Sequence, residues 1–410
     1  MTNEHQWEGG EALRSAADAA GYIAKVCFKT GPPMHTGVEL EWTVHHTDDP
    51  SRPISAEQLR TALGPYAPPT LAPDGGRRLP AGGTVTVEPG GQVEISTPPF
   101  RSLATLHRDT GADITALTRS LADHGLSLGR TGIDPHRPAT RVLDTPRYTA
   151  MEHAYDRRGP HGRLKMCSCA SLQVCVDAGE VPDVRARWRL LHAAGPSLIA
   201  AFATARRHAG RDSGFASARM AAWWQVDPSR SAPVWTPATD DVDPTEQWIA
   251  SALAAELLCV RRSDGSWDAP PGVTFADWID GALPEPPTID DLEYHLSTLF
   301  PPVRPRGYLE VRYLDTQPGD EWIAPAAVIA ALLADPDTVA EATDICVPTA
   351  DRWAEATRCG LIDPALARSA RRLLDLACAR LDTTDLPAET RSLVTDIVHR
   401  RLATAEGAAR

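Results

Sequence analysis

The sequence predicts an α+β fold built on an antiparallel sheet, and three features of the chain predict it. Separated stretches at 37–44, 84–96, 171–177 and 307–315 alternate apolar and polar residues with a period of two. Two of these runs flank Pro89-Gly90-Gly91, a hairpin signal. Each run has one polar and one apolar side, the mark of antiparallel strands with a single covered face.

In chain order, residues 10–29 carry Leu13, Ala16, Ala17, Ala20, Ile23 and Ala24 at helical spacing, and Thr30 to Pro33 stops the helix. The strand 37–44 follows, with Val38, Leu40, Trp42 and Val44 on one side and Glu39, Glu41 and Thr43 on the other. A polar loop at 45–54 leads to a short helix at 55–63. Residues 64–83 are rich in proline and glycine and longer than most connections, which marks a lid or a disordered loop. In the hairpin, Thr84, Thr86 and Glu88 share one face of the first arm, and Gln92, Glu94 and Ser96 share one face of the second.

A helix is predicted at 101–124, a strand at 127–133, a helix at 145–155 bearing Arg147, Tyr148 and Tyr155, and a turn at 157–162. The strand at 166–177 sets Ser171, Gln173, Cys175 and Asp177 against Leu172, Val174 and Val176. Helices are predicted at 183–209, kinked at Gly195-Pro196, then at 214–225, 244–260, 274–281 and 288–299. The last strand, 307–315, places Tyr308, Glu310 and Arg312 on one face. Beyond 320 the pattern is helical: 321–334, 336–346, 349–359, 363–381 and 387–405. We read residues 1–410 as one catalytic unit, with an α+β core at 1–320 and a helical part at 321–410.

The bulk numbers exclude whole classes. A net charge of −13 with no basic block argues against nucleic acid or an anionic membrane as partner. No run approaches the ~18 apolar residues of a membrane span. Residues 1–29 lack the pattern of a secretory signal, and the eight cysteines form no Cys-x-x-Cys pair, so reduced thiols in the cytoplasm are expected. Neither a P-loop nor a Gly-x-Gly-x-x-Gly motif occurs.

The polar faces carry the chemistry. If the strands pair, Glu39, Glu41, Glu88, Glu94 and Glu310 converge with Gln173. Five ionised carboxylates on one face would repel unless some are protonated or a divalent cation is present. An all-oxygen donor set suits magnesium or manganese rather than zinc. Magnesium takes only one or two carboxylates per ion, so five suggest more than one ion and a nucleotide triphosphate. Arg312, on the same face as Glu310, suits a transferring phosphoryl group, and Arg230 in Asp-Pro-Ser-Arg is a second such cation. Taken singly, each glutamate reads as a solvated strand residue, and Glu310 with Arg312 as a surface pair worth ~0.2–1 kcal/mol. Cys167, Cys169 and Cys175 on one strand face could reach a soft metal, but buried inert thiols are the simpler reading.

Gly-Val-Glu-Leu-Glu-Trp (37–42), Glu-Pro-Gly-Gly-Gln-Val-Glu-Ile-Ser (88–96), Cys-Ala-Ser-Leu-Gln-Val-Cys-Val-Asp (169–177) and Tyr-Leu-Glu-Val-Arg (308–312) together resemble the signatures of glutamate–cysteine ligases. The type is that shared by plants and proteobacteria, and within it the chain is most similar to the actinobacterial enzymes that supply ergothioneine synthesis. Blocks around Arg147 and from Ser217 to Arg230 belong to the same resemblance, which runs from about 35 to 335. It implies a half-funnel antiparallel sheet holding ATP and magnesium. The γ-carboxylate of L-glutamate is phosphorylated, and the amine of L-cysteine displaces phosphate. By position, Glu39, Glu41, Glu88, Glu94 and Glu310 would hold magnesium, and Gln173 would touch metal or glutamate. Arg312 and Arg230 would stabilise the phosphoryl group. Gln92, Arg147, Tyr148, Tyr155 and Arg219 are the substrate-binding candidates. Cys175 stands where many relatives have Asn, Ser171 where they have Thr, and Val-Arg-Tyr-Leu where Met-Arg-Gly is common. A ligase for a different amine and a non-catalytic metal-binding scaffold are the competing readings, and nothing in the sequence demands more than a monomer.

Overall fold

The computed structural model describes residue 10 and residues 12–408; positions 1–9 and 11, part of the stretch read for a signal, lie outside the described residues. Six strands form one sheet: β1 (Thr36–Trp42), β2 (Thr84–Val87), β3 (Val93–Ser96), β4 (Ser171–Val176), β5 (Val303–Pro305) and β6 (Leu309–Asp315). Their order is β2–β3–β1–β4–β6–β5, and every neighbouring pair is antiparallel. The fold is thus α+β, as the alternation predicts.

The apolar side chains of these strands enter one hydrophobic core. Val38, Leu40, Ile95, Leu172, Val174 and Val311 are at most 2% exposed. The helices Leu103–Ala122, Gly195–Phe202 and Ile323–Leu332 pack there, and the same core continues to Leu402. Burying this face is the main stabilising contribution and leaves the polar face free for chemistry. Local signals set the helix starts: Ser102, Thr145 and Ser217 each accept a backbone N–H from the first turn. No single described helix is long and apolar enough to cross a membrane.

Several local expectations are corrected. Strand β1 stops at Trp42; Val44–His46 pairs instead with Leu126–Leu128, which is all that forms of the strand expected at 127–133. The turn expected at 157–162 forms over 157–160, and its end and the start of the strand expected at 166–177 are replaced by a helix, His161–Cys167. Gly162 makes its packing possible, since a Cβ there would meet the Tyr155 Cβ at 2.1 Å. Cys167 and Cys169 therefore do not share a strand face with Cys175, and the shared-face thiolate site disappears. The helix expected at 183–209 is two, Val184–Ala193 and Gly195–Phe202. The segment 64–83 is ordered but largely exposed, anchored where Ala67 and Leu79 are buried and where the Asp113 carboxylate accepts the N–H groups of Ala81 (2.7 Å) and Gly83 (2.8 Å). Those anchors tie it to the Leu103–Ala122 helix.

Candidate active site

The strand registers bring the predicted residues into rows across the polar face. One row runs Gln173–Glu39–Ser96–Thr84, and the next runs Glu41–Glu94–Thr86. A third places Arg304, Glu310, Cys175 and Gly37 side by side. Glu88 follows β2 at the hairpin rim. Strand β6 carries a register shift between Val311 and Leu314, so Arg312 meets Gln173 across β4.

The face divides into two electrostatic halves. On β1 and the hairpin, Glu39, Glu41, Glu88 and Glu94 are half-buried, and no cationic group lies within salt-bridge distance of any of them among the described residues. Neutral donors hold two of them. Ser171 donates its N–H (2.9 Å) and hydroxyl (3.0 Å) to Glu41, and Thr86 (2.8 Å) and Ser96 (3.2 Å) donate to Glu94. Burial pushes all four carboxyls above the usual range, and mutual repulsion adds to it: Glu39 faces Glu94 and Glu310, Glu41 faces Glu88 and Glu94, and Glu94 faces Glu88.

The other half is internally balanced. Arg304 donates Nε (2.7 Å) and Nη2 (3.2 Å) to the two oxygens of Glu310, and its Nη1 donates to the Leu299 carbonyl (3.0 Å). Arg312 Nη1 donates to Glu310 (2.6 Å) and to Gln173, and Arg306 stands 3.8 Å away. Burial alone would raise the Glu310 carboxyl; Arg304 and Arg312 outweigh it and hold it at about 2. Glu310, expected among the metal ligands, has both oxygens taken by guanidiniums here. Glu39, Cys175 and Glu310 still offer three ligand atoms within 4.8 Å of one another. Burial, then Glu39 and Glu310, push the Cys175 thiol well up, so it stays protonated.

The remaining predicted residues separate. Arg147 donates to the Ser297 hydroxyl and carbonyl (both 3.2 Å), lies over the Tyr294 ring, and with Tyr148 stands close enough to Glu88 for each to feel its charge. Arg230 is not on the sheet face. It donates to Asp227 (2.6 Å), Thr298 and the Glu256 carbonyl, and lines a cavity of about 230 Å³ with Tyr155, Arg158, Asp227 and Glu256. Arg219 is fully buried and donates to the carbonyls of Arg312 (2.7 Å) and Leu314 (2.8 Å), clamping the bulge that aims Arg312. Gln92 is turned into the protein: it accepts from Gly90 and donates to Met166 and Cys169 carbonyls, pinning the hairpin turn. Gly90 is required there, because a Cβ would stand 2.1 Å from the Cys167 carbonyl oxygen. These four arginine and glutamine contacts are long-range, so alternation could not reveal them.

Arg304 is the residue that sequence reading passed over. It sits in Pro301-Pro302-Val303-Arg304-Pro305, where the prolines mask a three-residue strand. Proline is tolerated on edge strands, which is where β5 lies, and that is the signal that points to it.

Residues 35–399 match the profile of glutamate-cysteine ligase family 2. The chain is 36% identical over 390 residues to glutamate–cysteine ligase EgtA of Mycolicibacterium smegmatis, covering 93% of this chain and 87% of that one. It is 38% identical over 378 residues to glutamate–cysteine ligase EgtA of Mycobacterium tuberculosis, with 90% and 85% covered. A chloroplastic glutamate–cysteine ligase of Brassica juncea is 29% identical over 281 residues, 67% of this chain and 54% of the relative. Among solved structures, a glutamate–cysteine ligase of Francisella tularensis in complex with AMP covers 93% of this chain and 95% of its own, at 12% identity and a TM-score of 0.38. A bifunctional glutathione synthetase of Pasteurella multocida covers 95% and 49%, at 14% identity and a TM-score of 0.40; likeness at that level says nothing about the site. With the match running through every strand of the sheet, this chain belongs to glutamate–cysteine ligase family 2.

Proposed function

We propose that this protein joins the γ-carboxylate of L-glutamate to the amine of L-cysteine, with cleavage of ATP to ADP and phosphate, giving γ-L-glutamyl-L-cysteine for ergothioneine synthesis. The observation that carries the reading is the divided polar face, four half-buried carboxylates with no cation in salt-bridge distance beside a balanced arginine cluster, on a chain similar to such ligases over nearly its whole length.

The carboxylate half fits divalent cations. Its donors are all oxygens, and its carboxyls are raised by burial and by one another, a rise that an added cation would relieve. Glu39, Glu41, Glu88 and Glu94 would hold magnesium, two or more ions, and Gln173 borders both halves. Glu310 reaches a metal only if Arg304 and Arg312 release it. When bound, magnesium supplies the charge neutralisation that lets a triphosphate and a carboxylate approach this face.

The chain's own residues do the rest. A carboxylate is a poor electrophile, so a γ-carboxylate oxygen of glutamate attacks the γ-phosphorus and the bond to ADP breaks. Arg312 places a fixed guanidinium beside the phosphoryl oxygens, where charge is spread in the transition state. Glu310 and Arg304 hold that guanidinium in place, and Arg219 fixes the backbone beneath it. The cysteine amine then attacks the acyl carbonyl, phosphate leaves, and the amine proton passes to solvent. Arg147 and Tyr148, at the hairpin rim beside Glu88, are the amino-acid-pocket residues of this reading. It takes the protein as cytoplasmic, with no nucleic-acid or membrane partner.

The test is ADP formation with glutamate against a panel of amines, with the product weighed by mass spectrometry. ADP release should require both glutamate and cysteine. Equal release with another amine and none with cysteine would reassign the acceptor. Magnesium binding with no turnover would leave only a metal-binding scaffold.

A further inference from the structure

Only three of the 41 basic residues of this chain are lysines. Lys25 and Lys29 are exposed at the end of the first helix, whereas Lys165 points into the protein from the helix His161–Cys167. Its Nζ is buried and has no hydrogen-bond partner, and no carboxylate lies within salt-bridge distance of it among the described residues. Three rings surround it, with centroids at 4.0 Å (Phe300), 4.3 Å (Trp223) and 5.7 Å (Tyr155). The Arg312 guanidinium lies 5.9 Å from the same two rings of Trp223 and Phe300. The Trp223 indole N–H donates to the Phe300 carbonyl (2.8 Å), which fixes these two walls relative to one another. The third wall, Tyr155, lines the Arg230 cavity, and its hydroxyl is also buried without a hydrogen-bond partner.

An aromatic box alone does not account for this lysine. The attraction of a ring face for an ammonium is smaller than the cost of taking that ammonium out of water. The nearby charges make matters worse: burial, then Arg230 and Arg312, push the ammonium well below the usual lysine range, and Asp227 offsets them only in part. Methionine or leucine would fill the same space without that cost. An arginine, which the chain uses almost everywhere else, would stay charged there, whereas a lysine can wait neutral and take up a proton when an anion arrives.

We infer that Lys165 is a further substrate-binding residue of this reaction: its ammonium receives an anionic oxygen, carboxylate or phosphoryl, of a bound substrate between Arg312 on the sheet and the Tyr155–Arg230 cavity. This rests on the ligase reading above. The two sources of such an oxygen are an amino-acid α-carboxylate and the ATP phosphates, and the three substrates tell them apart.

The experiment is NMR of the full-length protein with lysines labelled at the ε position, which gives three lysine signals. Lys165→Met assigns the interior one; if that variant does not fold, Lys25→Arg and Lys29→Arg assign it by elimination. ATP, glutamate and cysteine are added singly and then in pairs, with magnesium present. The Lys165 signal is expected to move with one substrate while the other two lysines stay still. Movement with ATP names a phosphoryl oxygen, and movement with an amino acid names a carboxylate. In the folded Lys165→Met variant, KM for that same substrate should rise about 10- to 100-fold, the range of one charge-assisted hydrogen bond. A Lys165 signal unmoved by every combination, in protein that forms the product, overturns the inference and leaves the ligase intact. Absence of product from the wild-type protein removes the ligase reading itself.

Discussion

The two halves of the polar face are made alike and end up opposite. Both come from period-two strands of one sheet, Glu310 fully buried and Glu39, Glu41, Glu88 and Glu94 half-buried. Glu310, between Arg304 and Arg312, is held ionised far below neutral pH. Glu39 and Glu94, with no guanidinium in salt-bridge distance, are pushed up by burial and by neighbouring carboxylates to about 8 and about 7. Burial raises every carboxyl on this face, and the presence or absence of a guanidinium partner decides whether that rise stands. One half is charge-balanced within the folded protein, and the other sets carboxylates against one another without a guanidinium partner. That difference suits a ligase, which needs a rigid cation for the transferring group and an adaptable seat for the metal and its triphosphate.

The comparison is broken most severely at Arg312. Arg312→Ala should lower kcat about 10³-fold or more, the scale of an arginine acting on a transferring phosphoryl group. The fold should survive, because Arg304 still pairs Glu310. A loss of less than about tenfold, in steady-state ADP release, would remove Arg312 from the chemistry.

Arg304→Ala attacks the balanced half from behind. Removing one partner of a buried ion pair costs about 3–5 kcal/mol of stability, read from the urea midpoint, and Arg312 should lose its fixed position and its activity with it. A change below about 1 kcal/mol would mean that Glu310 does not depend on Arg304.

The carboxylate half should announce itself in the pH dependence of stability. Glu39 and Glu94 have folded-state values near 8 and 7, above the about 4.3 of an unfolded glutamate. Stability from such groups is fully present below about pH 4.3 and is lost as pH rises through the folded values. Metal-free protein should therefore show a contribution to Tm that falls between about pH 4 and about pH 8, and magnesium should flatten the slope because it favours the ionised forms. Equal slopes with magnesium and with chelator would argue that no cation binds there.

The smallest effect sharpens the contrast. Glu94→Gln keeps an acceptor for Thr86 and Ser96 while removing one repelling charge. Metal-free protein should gain roughly 1 kcal/mol in a denaturant titration, while magnesium binds more weakly by calorimetry. The reverse pattern, lower stability with unchanged magnesium affinity, would make Glu94 a structural residue.

Much of this was legible from local pattern. The alternation in 37–44 and 84–96 placed Glu39, Glu41 and Glu94 on one side of a strand, and burial of Val38, Leu40 and Ile95 follows from the same period. Contacts between distant segments were not legible. Gln92 shares the alternation of Glu94, yet it turns inward to carbonyls at Met166 and Cys169, which a hairpin cannot foresee. Arg219 looks like a ligand residue in its block and clamps a bulge nearly a hundred positions away. The helix His161–Cys167 was missed because it is short and its packing depends on a glycine set against Tyr155.

Periodicity of side chains is a property of neighbouring residues, so the sequence by itself determined the sheet's two-sidedness and the set of groups offered on its polar face. Charge state is a property of the space around a group. Whether a glutamate here meets a guanidinium or another glutamate depends on strand order and on one register shift in β6, and only the tertiary structure decided that.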